Sequence, residues 1–208
     1  MILPYWLLYS VGFKPWEGRP MPGPFRRVLE GPDALPPGRA LDVGCGTGPD
    51  AVLLAKRGWR VTGVDAVDGA IAQAEQRATR EGVDVQWIRA DVSELASLGL
   101  EPGYQLLYDF GCIQGLPDAA RAKTVDALTR LAAPGAALIF LAFRSARRLV
   151  LPRGMDQEDI TALCGDAWRL VEVEPLNLDD APAPIRRAGP TTYRLTRTGV
   201  AGAPPRAA

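Results

Sequence analysis

The sequence predicts an α/β fold, a mostly parallel sheet covered by helices on both faces. Three observations carry this expectation. From Arg39 onward, short apolar runs alternate with segments of helical periodicity, as in strand–helix–strand units. The first strand-to-helix junction, at residues 41–48, is rich in glycine. The 208 residues, 47% of them apolar, suit one ordinary hydrophobic core.

Taken in order, the first strand covers residues 40–43 and is followed by glycines and a helix over 50–57, stopped at Gly58. A second strand, 60–64, ends at Asp65. The next helix carries Val67, Ala70, Ile71, Ala74 and Ala78 on one face, with Gly82 past its end. A third strand, 85–88, leads to Asp91, and a fourth covers 104–108. Pro117 and Asp118 open a helix whose inner face is Ala122, Val125, Leu128 and Leu131. The fifth strand is 137–141, followed by a helix near 157–163 and strands at 168–173 and 192–195. The proline- and charge-rich stretch 175–190 reads as a loop joining the last two strands into an antiparallel edge hairpin, which brings the sheet to seven strands. No internal repeat is present. The expected organisation is an N-terminal helical lid over 1–30, a single α/β domain over 31–198 and a flexible tail over 199–208.

Composition removes several classes of function. Lys plus Arg and Asp plus Glu are both 24, so the chain has no net charge to draw it to nucleic acid or an anionic membrane. Histidine is absent, which excludes Ser-His-Asp and Cys-His catalysis and any histidine-based metal site. Cys45, Cys112 and Cys164 are widely spaced and odd in number, so neither a zinc site nor a disulfide framework is expected, and free thiols suit a reducing cytoplasm. Residues 1–13 are apolar but lack a basic leader and are too short to span a bilayer.

The strongest local signal is Leu41-Asp42-Val43-Gly44-Cys45-Gly46-Thr47-Gly48. A dinucleotide fingerprint reads GxGxxG, whereas this loop reads GxGxG with Asp42 two positions before it. A carboxylate there repels a pyrophosphate and welcomes an ammonium. Asp65, at the end of the second strand, is placed to accept hydrogen bonds from both hydroxyls of a ribose, and Asp91 to accept from an adenine amino group. Ammonium, ribose and adenine contacts on three successive strand ends describe S-adenosylmethionine. Taken singly, Asp65 or Asp91 also suits a helix cap or turn.

At these residues the sequence resembles the class I S-adenosylmethionine-dependent methyltransferases, with ALDVGCGTG, VTGVD and IRADV in the order of that family's motifs. The resemblance implies a Rossmann-like sheet and the cofactor S-adenosyl-L-methionine. It places Asp42, Gly44, Cys45, Gly46, Gly48, Asp65, Ala66, Asp91 and Val92 around the cofactor, with Cys45 also read as a spacer between the glycines. Tyr108-Asp109-Phe110-Gly111-Cys112, then Gly115-Leu116-Pro117, and Lys14-Pro15-Trp16-Glu17-Gly18-Arg19-Pro20 upstream, are similar to the small thiopurine-methyltransferase-like branch. That likeness implies that Trp16 packs near the cofactor and that Asp109, Phe110 and Gly111 line its methionine end, although Phe110 and Gln114 depart from the branch's usual residues.

The aromatic cluster Tyr5, Trp6, Tyr9 and Phe13 reads either as a helix packed on the sheet or as a lid over an apolar acceptor. With Gly111, Cys112, Gln114, Phe143 and Arg144 it forms the expected acceptor pocket. Arg144, Arg147 and Arg148 read as a solvated face or as a contact for an acidic acceptor. The partner expected is a small-molecule methyl acceptor, met by a monomer or weak homodimer. With no histidine, a base would be Asp109, Tyr5 or Tyr9, and an easily ionised O, S or N nucleophile needs little help. Three alternatives stay open: a protein that binds the cofactor without catalysis, a nicotinamide-dependent oxidoreductase, and an enzyme that uses the bound sulfonium as a charge while catalysing something other than methylation.

Overall fold

The computed structural model describes residues 20–32, 34–146, 152–178 and 182–199. One seven-stranded sheet organises them, in the order β3-β2-β1-β4-β5-β7-β6. Strands β1 (Arg39–Val43), β2 (Arg60–Asp65), β3 (Gln86–Arg89), β4 (Tyr104–Asp109) and β5 (Ala132–Ala142) run parallel. Strand β7 (Thr191–Arg197) is antiparallel to both β5 and β6 (Trp168–Pro175). Strand order reverses at β1, between β2 and β4, which is where an open α/β sheet forms a crevice at the carboxyl ends of its strands.

Alternate residues of the central strands feed two cores. On one face Leu41, Val43, Leu107, Leu138, Phe140 and Tyr193 pack with Val125, Leu128 and Leu131 of helix α4 (Asp118–Leu131) and Ile160 of α5 (Gln157–Cys164). On the other, Ala40, Val61, Leu106, Tyr108 and Ile139 pack with Phe25 and Val28 of α1 (Gly23–Leu29) and Ala51 and Leu54 of α2 (Pro49–Lys56). Burial on both faces explains why β1 and β4 are near-continuous apolar runs rather than alternating ones. Helix α3 (Asp68–Glu81) ends in a left-handed Gly82, and α5 opens with a reciprocal capping box between Asp156 and Asp159.

The structure corrects several expectations. The stretch between the last two strands is not all loop: residues Ala183–Arg187 form a short helix, α6, whose start Pro182 and Pro184 favour. The antiparallel pair closes one edge of the sheet as expected, with β7 inserted between β5 and β6 and β6 outermost. Strand β5 begins five residues early at Ala132, which pairs with Tyr104 across a register shift. On α4, Ala122 is exposed while Arg121 and Thr124 are buried, since the Arg121 guanidinium finds carbonyl partners inside. Val67 is the half-buried N-cap of α3 rather than part of its inner face. Of the expected N-terminal lid, Tyr5, Trp6, Tyr9, Phe13 and Trp16 lie outside the described residues, whereas α1 buries Phe25 and Val28 in the core.

Candidate functional site

The loop after β1 is held from within. Gly44 and Cys45 both donate their N–H to Val64 O, at 2.8 and 3.0 Å, Gly46 donates to Asp65 Oδ2 at 2.9 Å, and Gly48 to Cys45 O at 2.9 Å. A phosphate-binding loop presents such N–H groups to its ligand; here these four are already engaged, so the loop is no pyrophosphate cradle. Gly44 and Gly48 both have φ of 72°, and a Cβ would collide with the Cys112 side chain at the first and the Trp87 ring at the second. The glycines thus let the Cys112 and Trp87 side chains close directly on the loop at the carboxyl end of β1.

Three carboxylates border that loop. Asp42 is buried on β1, level with Gly63 and Tyr108, and its charge joins burial and Asp50 in holding the Tyr108 phenol well above its usual pKa. Asp65 is buried, and its Oδ1 accepts from Val67 N at 2.9 Å while Oδ2 holds Gly46; burial outweighs these donors and pushes its carboxyl up. Ala66 beside it is exposed. Asp91 is exposed and caps the 3-10 turn Val92–Ser97 by accepting from Ser93 N at 2.8 Å, while Val92 turns its side chain into the core.

The exit of β4 brings the remaining described candidates together. Asp109 is fully buried; its Oδ1 accepts from Cys112 N at 2.8 Å and Ile113 N at 3.1 Å, and its Oδ2 is buried without a hydrogen-bond partner. Burial pushes this carboxyl up to about 7, against the pull of those N–H groups and of Arg121. Gln114 is buried, donates to Gly111 O at 3.4 Å and accepts from Phe143 N at 2.7 Å, which ties the β4 and β5 exits together. Phe110 is half-buried in an aromatic triangle with Phe25 and Tyr108, ring centroids 5.0 to 5.3 Å apart. Arg144, one residue beyond Phe143, is exposed. Burial pushes all three thiols up, Cys164 to about 12, so none is a ready nucleophile at neutral pH.

Sequence reasoning missed three contributors. Trp87 of β3 lies against Gly48 and Gly63, where a Cβ on Gly63 would stand 2.6 Å from its ring. Arg121 donates to Leu116 O at 2.9 Å and to Gln114 O, propping the loop that carries Gln114. Phe25 joins α1 to the β4 exit. The i+3 and i+4 spacing from Arg121 to Thr124 and Val125 was the available signal for the buried arginine; nothing local marks the other two.

These features fit S-adenosylmethionine: a glycine loop with the N–H groups of Gly44, Cys45, Gly46 and Gly48 turned inward, the flanking buried carboxylates of Asp42 and Asp65, and a buried Asp109 oxygen without a hydrogen-bond partner. Residues 40–135 match the family described as methyltransferase domain. The chain is 28% identical to a 2-heptyl-1-hydroxyquinolin-4(1H)-one methyltransferase of Mycobacteroides abscessus over 79% of its own length and 72% of the relative's. It is 35% identical to a ubiquinone biosynthesis O-methyltransferase of Hahella chejuensis over 51% of its length, but spans only 44% of that relative. Its fold is similar to that of the N-methyltransferase NodS of Bradyrhizobium japonicum in complex with S-adenosyl-L-homocysteine, with a TM-score of 0.64 and 22% identity over 78% of this chain and 79% of that one. Among the described residues, no helix is long and apolar enough to cross a membrane, and no cluster of three metal-ligating side chains occurs.

Proposed function

We propose that the chain transfers the methyl group of S-adenosylmethionine to a small-molecule acceptor through a readily ionised O, N or S atom. The observation that carries this reading is the juxtaposition, at the carboxyl ends of β1, β2 and β4, of a loop whose N–H groups point inward with Asp65 and Asp109. In it, Asp65 holds the ribose hydroxyls, Asp91 and the Val92 backbone meet the adenine, and the 44–48 loop with Asp42, Asp109 and Phe110 faces the methionine end. The bound sulfonium supplies an already activated methyl group, so the protein's task is alignment and exclusion of water. Phe110, Gly111, Gln114 and Phe143 orient the acceptor at the joined β4 and β5 exits. Asp109, with a carboxyl near 7, is suited to take the proton of a weakly acidic acceptor at neutral pH. The M. abscessus relative is named for an N-hydroxy heteroaromatic, a nucleophile of that kind. The Asp109-to-Cys112 turn supports placing the chain in the thiopurine-methyltransferase-like branch. The test is release of S-adenosylhomocysteine with a panel of phenols, N-hydroxy heteroaromatics, thiols and amines. Turnover with an ionisable acceptor is expected; cofactor binding without turnover across the panel would leave a binding protein instead.

A further inference from the structure

We propose that Arg77 is a positioning residue of the cofactor site: reaching from α3, it holds the Thr47–Gly48 peptide of the glycine loop in its binding orientation. The proposal rests on the cofactor reading above and adds to it the group that sets the shape of the loop's second half.

The two halves of the loop are fixed by different elements. The first is tied to β2, through the bonds from Gly44 and Cys45 to Val64 O and from Gly46 to Asp65. The second is gripped from α3. Arg77 Nε donates to Thr47 O at 2.9 Å, and its Nη2 to Thr47 Oγ1 at 3.4 Å. Thr47 is buried, so its carbonyl needs a donor within the protein, and a guanidinium is a strong one. A trans peptide is planar, with its N–H and C=O on opposite sides. Holding the carbonyl toward α3 therefore aims the Gly48 N–H the other way, where it donates to Cys45 O at 2.9 Å. One peptide plane is thus bonded at both ends, and Arg77 supplies the outer bond.

Packing brings the guanidinium to that carbonyl. Ala70, Ile71, Ala74 and Ala78 form the buried face of α3, and Arg77 follows Ala74 by one turn on the same side. The small side chains let the helix come close: a Cβ on Gly48 would stand 3.0 Å from Ala74 Cβ and 2.4 Å from the Trp87 ring. An alanine, an indole and a guanidinium therefore converge on residues 47 and 48 from α3 and β3. The first two supply volume; the guanidinium supplies direction. Gly48 sits at φ of 72°, and a glycine there has other conformations open to it once the preceding carbonyl is released. Without Arg77 the loop is competent in only a fraction of free chains, and the apparent cofactor affinity falls by that fraction.

The experiment is calorimetric titration of the full chain and its variants with S-adenosylhomocysteine, on protein that thermal unfolding shows to be folded. Arg77→Leu should weaken binding about ten-fold or more, and Arg77→Lys, which keeps a cationic donor, should recover most of that loss. Amide hydrogen exchange followed by NMR reads the loop in the free chain. There the Gly48 N–H should exchange about ten-fold or more faster in Arg77→Leu, while Gly44 and Cys45, tied to β2, keep their rates. Binding by folded Arg77→Leu within about two-fold of the unsubstituted chain, an equal loss in Arg77→Lys, or unchanged Gly48 exchange overturns the proposal. Should Arg77→Leu not fold, Arg77→Ser is read by the same criteria. If the unsubstituted chain binds no S-adenosylhomocysteine, the cofactor reading fails and takes the positioning role with it; binding that Arg77→Leu leaves unchanged overturns the positioning role alone.

Discussion

Asp109 illustrates how one side chain serves fold and chemistry together. One of its oxygens caps the turn at Cys112 and Ile113, and the other is buried without a donor. Its carboxyl is raised from 3.8 to about 7, so the folded chain holds a proton that the unfolded chain has released across that interval. With more protons bound in the folded state, stability falls as pH rises from about 4 to about 7 and levels off above. Asp109→Asn keeps the Oδ1 acceptor and removes the titration. Denaturant unfolding at pH 5 and pH 8 should show a stability difference smaller in this variant by on the order of a few kcal/mol. The same substitution should lower kcat by roughly 100-fold or more and abolish an inflection near pH 7, if Asp109 is the base. The candidacy of this residue was legible from its place after the fourth strand. Its raised pKa was not, because burial depends on packing between elements distant in the chain.

At the level of elements, the 44–48 loop and the β4 exit meet at Gly44 and Cys112. Gly44→Ala adds a Cβ where Cys112 stands and forces an alanine to φ of 72°, so it should destabilise the fold by about 1–3 kcal/mol and sharply weaken cofactor binding. Thermal unfolding and calorimetry read the two effects separately. Arg121→Leu strips the carbonyls of Gln114 and Leu116 of their buried donor; a cost of about 1–3 kcal/mol is expected, with a rise in acceptor KM and an unchanged cofactor affinity. The parallel strands were readable because burial on both faces makes them apolar runs. The first five residues of β5 were not, since Ala132–Ala136 carry proline and glycine and pair only through a register shift with β4. Helix α6 was hidden in the same way, being only five residues long within a proline-rich stretch.

Across the whole molecule, the two cores explain which contacts matter for stability. Phe25 is fully buried against Tyr108 and Phe110, so Phe25→Ala should cost ~3–5 kcal/mol. Arg27, on the next residue but one, pairs with Glu172 and Glu174 at a half-exposed position, and Arg27→Gln should change stability by less than about 1 kcal/mol in a urea titration. Sheet class, strand count and the antiparallel finish followed from the pattern of elements. The insertion of β7 between β5 and β6 did not, because a hairpin's order relative to the sheet depends on which strand packs better against β5, a long-range choice with no local mark. Titration of the purified chain with S-adenosylhomocysteine is the most direct test of a methyltransferase site. The account predicts micromolar binding, weakened at least ten-fold by Asp65→Asn in protein that remains folded, because the substituted amide no longer offers two acceptor oxygens to Gly46, Val67 and a ribose. Absence of binding by folded, ligand-free protein, or binding indifferent to Asp65, would contradict it.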